Sequence, residues 1–201
     1  MYKSIEFVCG GNQGRSPVCL AVARNFAYKK GIGIELLSSG VYVDFAGRIS
    51  DEDLGKVLAR YPLIKGVENG ALSNQELLEF QEKRKNAREI LKKLEAHETQ
   101  RRDRELARRG FGEYIKNHVP NQIRYREKTE GGVILLMDGG LSQPVCKIYA
   151  GQAHPEITTL PSFIDEVEEL PDAILENDEF YSILVDRLIN YTEKAMEKAV
   201  A

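Results

Sequence analysis

Short apolar runs alternate with segments of helical periodicity at the start of the chain. Ser4–Val8 (SIEFV) is mainly β-branched or aromatic, which predicts a buried strand. Val18, Val22 and Phe26 then recur at helical spacing, and a second apolar run, IELLSSG, follows at 34–40. The order strand, loop, helix, strand predicts a right-handed crossover between two parallel strands.

Several boundaries carry residues with known preferences for helix ends. Pro17 suits the first turn of the first helix, and Gly31 or Gly33 suits its end. Ser50 with Asp53 resembles a capping box, which predicts another helix directly after it.

Three later segments extend this pattern. The run at 132–138 (GVILLMD) is the most apolar of the chain and predicts a central strand. The run at 145–150 (VCKIYA) predicts the last strand. From Asp178 onward, apolar residues at helical spacing predict a closing amphipathic helix.

The segment from Ser73 to about Lys128 breaks the alternation of strands and helices. It opens with a second capping box, Ser73 and Glu76, and continues in strong helix formers, which predicts a long charged helical insertion. Positions 82–109 hold eleven Lys or Arg and six Asp or Glu, whereas 156–201 hold twelve acidic and three basic residues. Mixed signs and few aromatics favour a solvated helix face, partly neutralised by the acidic C-terminal segment, over a basic arm for nucleic acid or another partner.

Composition limits the classes of protein to consider. The chain has 201 residues, 42% of them hydrophobic, and a formal net charge of −3, which predicts one domain over 1–201 with the insertion at 73–128. No apolar stretch approaches the roughly 18 residues of a membrane span and no signal peptide is evident, so we expect a cytoplasmic protein that does not enter membranes. Three cysteines without CxxC spacing exclude a disulfide scaffold and a structural zinc site.

The loop after the first strand is the candidate for chemistry. It reads VCGGNQGRSP over Val8–Pro17 and lies where amide groups and a helix N-terminus converge in α/β folds. Neither a Walker loop nor a dinucleotide-binding fingerprint fits it, because the required glycines and lysine are missing. What remains is Cys9, five intervening residues, Arg15 and Ser16, in a loop whose glycines allow the backbone to wrap around a tetrahedral oxyanion.

Each polar residue of this loop has a chemical role. A cysteine at a helix N-terminus beside a cation has a lowered pKa, so Cys9 is predicted to be a thiolate nucleophile. Arg15 can hold two phosphoryl oxygens, the Ser16 hydroxyl can donate to the sulfur, and Asn12 tolerates a left-handed backbone. The predicted binding residues are Gly10, Gly11, Asn12, Gln13, Gly14, Arg15 and Ser16.

The stretch FVCGGNQGRSP resembles the phosphate loop of the low-molecular-weight protein tyrosine phosphatases, whose superfamily includes arsenate reductases. The resemblance extends through SSG at 38–40 and returns loosely at VILLMD and at ENDEFYSILVDRLI, covering about the first forty and last seventy residues. It implies a three-layer α/β sandwich with a four-stranded parallel sheet. It also implies that Cys9 is the nucleophile, Arg15 binds phosphate, Ser16 stabilises the thiolate, and Asn12 braces the loop with support from Ser38 or Ser39.

Two departures from the family pattern affect the chemistry. The position before the arginine, often a second cysteine that can protect the nucleophile, is Gly14 here. The family's general acid is an Asp followed by Pro and an aromatic, whereas here Pro171 precedes Asp172 and no aromatic follows. Asp172 lies within one residue of the expected place and is the first candidate for the general acid. Glu169 and Asp165 are alternatives.

Three functions are compatible with these residues. The leading hypothesis is a phosphomonoesterase that acts through phosphocysteine on a phosphorylated protein or a small phosphomonoester, with no metal and no cofactor. The second is an oxyanion-binding module with weak turnover, whose helical insertion binds a protein partner. The third is an arsenate reductase-like enzyme that uses Cys9 with a distant thiol; no family pattern supports Cys146 in that role, and Cys19 lies on a predicted core face. The three histidines show no metal-binding spacing.

Overall fold

Four parallel strands form one sheet in the computed structural model, which describes residues 1–83, 86–126, 131–152 and 155–201. The strands are β1 (Ser4–Cys9), β2 (Glu35–Gly40), β3 (Gly132–Leu136) and β4 (Glu156–Thr159). Their order across the sheet is β2-β1-β3-β4, and every neighbouring pair is parallel. The predicted crossover from β1 to β2 and the interior position of β3 are confirmed.

Nine α-helices connect or flank these strands in the described part of the chain. They are α1 (Arg15–Lys30), α2 (Val43–Arg48), α3 (Asp51–Leu58), α4 (Ile64–Glu68), α5 (Asn74–Lys83), α6 (Ala87–Arg108), α7 (Ser142–Ile148), α8 (Leu160–Phe163) and α9 (Asp178–Val200). Short 3₁₀ turns lie at Gly112–Ile115 and Gly139–Leu141.

The predicted helix ends have the expected local chemistry. Gly31 ends α1 in the left-handed conformation, with φ of 64°. The Ser50 hydroxyl accepts a hydrogen bond from the Asp53 amide at the start of α3. The capping box before α5 is reciprocal, because Ser73 Oγ accepts from the Glu76 amide while the Glu76 carboxylate accepts from the Ser73 amide.

The prediction of a last strand at 145–150 is wrong. Most of this segment belongs to α7, and β4 comes later, at Glu156–Thr159. The reason lies in the spacing of its buried residues: Leu141, Val145 and Tyr149 recur every four positions and are 4%, 0% and 2% exposed. Such spacing places all three on one helical face, which packs against the sheet.

The apolar core lies on both faces of the sheet. Alternate residues of β3 point to opposite sides, so that Leu135 packs with α1 and α9 while Ile134 and Leu136 pack with α7. A separate apolar cluster joins α3, α5 and α6 beside the sheet. The molecule is therefore a three-layer α/β sandwich with additional helices packed at one side, as the resemblance implied.

The charged middle segment packs against the C-terminal helix. Within 73–128, the structure places α5, α6 and a 3₁₀ turn, while residues 84–85 and 127–128 lie outside the described part. Arg104 of α6 pairs with Asp178 of α9 at 2.7 Å, and Arg109 pairs with Asp186 at 2.7 Å. This pairing of segregated charges favours the neutralised helix face over a free basic arm.

No described helix is both long enough and apolar enough to cross a bilayer.

We expect Leu135→Ala to lower the free energy of unfolding by about 2–5 kcal/mol, because it leaves a cavity between β3, α1 and α9. Leu78→Ala on α5 is the matched control, since its side chain is 54% exposed and should change stability by less than about 0.5 kcal/mol. Urea unfolding of both variants measures the difference. Equal losses would contradict the assignment of Leu135 to the core.

Candidate active site

The glycine-rich loop connects β1 to α1 at the carboxyl edge of the sheet. β1 ends at Cys9 and α1 begins at Arg15, so the five residues between them form the whole connection. Gly40, the neighbour of Cys9 on β2, lies against this loop. A Cβ atom at Gly40 would lie 2.7 Å from the Gly10 carbonyl oxygen and 2.9 Å from the Asn12 amide nitrogen. Glycine is therefore required there for the loop to approach β2 so closely.

The Cys9 sulfur is buried and receives two hydrogen bonds from the loop. Its residue is 2% exposed. The Asn12 amide donates to Sγ at 3.2 Å, and the Ser16 hydroxyl donates at 3.0 Å. Asn12 Nδ2 in turn donates to Ser16 Oγ at 2.9 Å, so the single hydroxyl proton is available to the sulfur at 3.0 Å, with the Ser39 carbonyl oxygen as a more distant acceptor at 3.3 Å. Both donors stabilise a negative charge on Sγ.

The acidity of Cys9 differs from the expectation based on sequence. Burial raises the pKa of the Cys9 thiol, whereas the Arg15 guanidinium and the Ser16 hydroxyl lower it. Burial outweighs the other two influences, so the prediction of a lowered pKa for Cys9 is wrong. The sequence reveals the cation and the helix N-terminus, but not that the sulfur is removed from solvent or that carboxylates share the cation.

Asn12 braces the loop through contacts distant in sequence. Its φ is 54°, which confirms the expected left-handed backbone. Its side-chain oxygen accepts from the Asn121 amide at 2.9 Å, and its carbonyl oxygen lies 3.1 Å from His118 Nε2, which donates. Neither Ser38 nor Ser39 bonds Asn12 directly, and Ser39 is linked to it only through Ser16, whose hydroxyl lies 3.3 Å from the Ser39 carbonyl oxygen. Ser39 Oγ donates to Glu6 at 2.6 Å, while Ser38 Oγ is buried without a hydrogen-bond partner among the described residues.

Arg15 projects from the first turn of α1 and is 6% exposed. Its Nη1 atom donates to Asp138 Oδ2 at 3.0 Å and to the Leu170 carbonyl at 2.7 Å, and Nη2 lies 3.4 Å from Asp172 Oδ2. Sequence reasoning assigned no role to Asp138. Its place near the glycine loop could have been predicted, because Asp138 follows β3 and the carboxyl ends of parallel strands meet at one edge of the sheet.

The three candidate general acids lie in different surroundings. Asp172 lies beside Arg15 and lines the cleft at the loop. Asp165 instead pairs with Lys198 at 2.9 Å and is 84% exposed, and Glu169 is an exposed residue of the same acidic segment. The structure therefore brings Asp172, but neither alternative, to Arg15 and the cleft at the glycine loop.

Helix α6 supports the loop from the side opposite β2. Thr99 Oγ1 donates to Gln13 Oε1 at 2.9 Å, and Arg102 Nη1 donates to the Gln13 carbonyl at 2.7 Å. Arg101, 1% exposed, donates to the carbonyl oxygens of Ala173 and Glu176 at 2.8 and 2.6 Å. The helix thus holds both the glycine loop and the segment that carries Asp172.

The same helix brings Glu98 to the loop. Glu98 is 6% exposed, and burial together with the nearby Asp172 carboxylate raises its pKa to about 8. Sequence reasoning did not find this residue, because a single glutamate on a long charged helix carries no distinguishing signal.

A cleft of about 340 Å³ opens at the loop. Its floor is formed by Gly10, Gly11 and Gln13, and Glu95, Glu98 and Asp172 supply its carboxylates. Its apolar walls come from Tyr42, Leu54, Val57, Leu58, Tyr61, Leu63, Leu91, Leu94, Ile174 and Leu175. The cleft therefore offers an apolar compartment next to the glycine-rich loop.

The fold was compared with known proteins. No protein-family model and no curated protein sequence matches the chain. Among solved structures, Wzb from Vibrio vulnificus in complex with benzylphosphonate aligns with a TM-score of 0.62 at 13% identity, over 98% of this chain and 99% of that one. A YwlE mutant from Bacillus subtilis gives 0.60 at 17%, over 98% and 99%. A low-molecular-weight protein tyrosine phosphatase from T. tengcongensis gives 0.59 at 19%, over 97% and 98%.

The chain has the fold of the low-molecular-weight protein tyrosine phosphatases. The resemblance seen in the glycine loop is thereby confirmed at the level of fold. The alignments extend over nearly the whole length of both chains, although identity stays between 13% and 19% for these structures.

The other cysteines of this phosphatase-like fold lie away from the cleft. Cys19 is fully buried, with its sulfur 3.8 Å from Met137 Sδ, which confirms its predicted place in the core. Cys146 is exposed on α7. Neither lines the cleft at the glycine loop.

The histidines of the chain differ in their surroundings. His118 contacts the glycine loop rather than a local partner. His97 Nδ1 is buried without a hydrogen-bond partner. His154 lies outside the described residues.

We expect Ser16→Ala to raise the pH at which Cys9 becomes reactive toward iodoacetamide. A hydrogen bond to a charged group contributes about 1.5–3 kcal/mol, so the midpoint should rise by about one to two pH units. Ser38→Ala is the matched control, because it removes a buried hydroxyl that bonds nothing. An unchanged midpoint in Ser16→Ala, or the same change in both variants, would show that the hydroxyl does not stabilise the thiolate.

Proposed function

We propose that the chain is a cysteine-dependent phosphomonoesterase that works through a phosphocysteine intermediate. One observation carries the proposal: the Asn12 amide and the Ser16 hydroxyl converge on Cys9 Sγ, while Arg15 lies beside it in the first helical turn. This arrangement occurs in a fold shared with phosphatases, at the edge of the sheet where such folds bind anions.

The first chemical step is phosphoryl transfer to sulfur. Cys9 gives its proton to water and attacks phosphorus as the thiolate, the bond from phosphorus to the leaving oxygen breaks, and Asp172 gives its proton to that oxygen. Arg15 and the loop amides bind the three non-bridging oxygens, whose negative charge they stabilise in the transition state. The Ser16 hydroxyl helps to stabilise the sulfur that has lost its proton.

The second step returns Cys9 to its starting state. A water molecule attacks phosphorus, Asp172 accepts a proton from it, and the bond from sulfur to phosphorus breaks. Inorganic phosphate leaves, and the hydrogen bonds from Asn12 and Ser16 stabilise the thiolate that forms on Cys9.

The cleft indicates what kind of ester enters. Among the described residues that line it, none is Lys or Arg, and half are leucine or tyrosine. An apolar organic group therefore fits better than an anionic one. A phosphorylated protein side chain with a ring, such as phosphotyrosine, or a small aryl phosphomonoester meets this requirement. Tyr42 and Tyr61 provide the aromatic surface that is missing after Asp172.

We expect the chain to hydrolyse 4-nitrophenyl phosphate, and Cys9→Ser to lose more than about a thousandfold in turnover, because it lacks the nucleophile. Cys19→Ser, which alters a core thiol away from the cleft, should retain the activity and is the matched control. Spectrophotometric release of 4-nitrophenolate measures both. Phosphate-dependent thermal protection without Cys9-dependent turnover would indicate the oxyanion-binding module instead.

The role of Asp172 can be tested by changing the leaving group. We expect Asp172→Asn to lower kcat/KM for an alkyl phosphate by about 100-fold or more, because an alkoxide needs a proton to leave. For 4-nitrophenyl phosphate, whose phenolate leaves without one, kcat/KM should fall by less than about tenfold, because this ratio reports transfer to Cys9 and not the later hydrolysis of phosphocysteine, which also uses Asp172. Glu169→Gln is the control for removing a carboxylate from the same segment and should leave both values unchanged. Equal losses of kcat/KM on both esters in Asp172→Asn would exclude Asp172 as the proton donor.

A further inference from the structure

The carboxyl group of Glu98 occupies the space beside the backbone of the glycine loop. A Cβ atom at Gly14 would lie 2.1 Å from Glu98 Oε1 and 2.7 Å from its carboxyl carbon. Gly14 immediately precedes Arg15, so the carboxyl group lies where a side chain of the loop itself would otherwise be. Glycine at position 14 thus leaves free the space that the Glu98 carboxyl group fills.

Glu98 faces the cleft but forms no side-chain hydrogen bond with another described residue. It lines the cleft together with Gly10, Gly11 and Asp172. The groups whose charges act on it or respond to it come from five parts of the fold: Cys9 of β1, Arg15 of α1, Arg101 and Arg102 of α6, Asp172 of the acidic segment, and Tyr181 of α9. The small exposed part of this side chain lies on the cleft, so a molecule bound there can supply the hydrogen-bond partner that the described residues do not.

We propose that Glu98 is a substrate-contacting residue that donates a hydrogen bond from its uncharged carboxyl group to a phosphoryl oxygen in the loop. The proposal rests on the proposed phosphatase site and adds a residue from the inserted helix to it. An uncharged carboxyl group has one O–H donor, whereas the ionised form only accepts. The protonation state of Glu98 therefore decides whether this group attracts or repels a phosphate.

The charges around the loop explain why the uncharged form is needed. Arg15 already interacts with Asp138 and Asp172, so a third carboxylate would oppose the entry of a dianion. Burial and Asp172 raise the pKa of Glu98 to about 8, so that it remains mainly protonated at neutral pH. Above that pH it ionises, and the affinity for a dianion falls.

Sulfate binding tests the proposal without requiring turnover, because sulfate stays a dianion from pH 7 to pH 9. The measurement uses Cys9→Ser protein, in which no thiol titrates near the ligand, and follows the dissociation constant by calorimetry. We expect the constant to rise about tenfold between pH 7 and pH 9, as one ionisation near pH 8 opposes binding. Glu98→Gln in the same background should bind at pH 7 to within about threefold and should change by less than about twofold up to pH 9.

Glu95→Gln is the matched control, since Glu95 lies one turn earlier on α6 and lines the same cleft. It should keep the full pH dependence of the Cys9→Ser protein. Glu98→Ala, which removes the donor, should weaken sulfate binding at pH 7 by about tenfold, because hydrogen bonds to charged groups contribute about 1.5–3 kcal/mol. Rescue by Gln but not by Ala is the signature of a donated hydrogen bond.

A second measurement does not depend on whether the Glu98 variants fold. At pH 9 the Cys9→Ser protein should take up close to one proton when it binds sulfate, seen as a difference in binding enthalpy between two buffers. Binding without proton uptake overturns the proposal, as does an identical pH dependence with Glu and Gln at position 98, or a failure to bind sulfate at pH 7. Loss of Cys9-dependent hydrolysis with pH-dependent sulfate binding intact would overturn the phosphatase function but not the role of Glu98 in binding.

Discussion

A buried guanidinium needs partners, and the site is arranged around this requirement of Arg15. Taking a cation out of water costs several kcal/mol unless opposite charge and hydrogen-bond acceptors surround it. Two parts of the chain meet that need: the first residues after β3 supply Asp138, and the segment after α8 supplies the Leu170 carbonyl and Asp172. The same pairing fixes the loop that begins at Cys9. The contacts that balance the charge of Arg15 are therefore also the contacts that hold the glycine-rich loop in shape.

Helix α6 is the second support, and it explains why the charged middle segment is not a free arm. Its arginines bond backbone carbonyls and carboxylates of the same chain. Arg102 donates to the Gln13 carbonyl, Arg101 donates to the segment that follows Asp172, and Arg109 pairs with Asp186. Each such bond involves a charged donor and is worth more than a neutral one. A high local density of Lys and Arg therefore reflects interior hydrogen bonding as much as surface charge.

Local sequence was sufficient for the parts of the site that are close together in the chain. The spacing from Cys9 to Ser16, the left-handed Asn12 and the helix that follows all depend on neighbouring residues, so their pattern predicted them. Contacts across the chain had no such signal. His118 and Glu98 reach the loop only because α6 and the segment after it pack there, and nothing local marks them.

Two errors have the same physical origin. The apolar content of the run at 145–150 predicts a strand, whereas the segment forms a helix that buries Val145 and Tyr149 on one face. The sequence neighbours of Cys9 predict a lowered pKa, whereas burial of the thiol, the largest influence, raises its pKa. In both cases the missing quantity was which atoms lose contact with water, and this depends on tertiary packing.

The position of Asp172 shows how a departure from a family pattern can be compensated. Its segment lacks an aromatic residue after the aspartate. Arg15 nevertheless pairs with the Asp172 carboxylate, and Arg101 donates a hydrogen bond to the backbone that follows it. Under the proposed mechanism, a phosphate that enters the loop competes with Asp172 for the Arg15 guanidinium. The carboxyl group is then released from its ion pair close to the leaving oxygen, while Arg101 keeps the segment in place. Substrate binding thereby frees a carboxylate that can take up a proton beside the leaving oxygen, and the hydrogen bonds from Arg101 hold its segment in position.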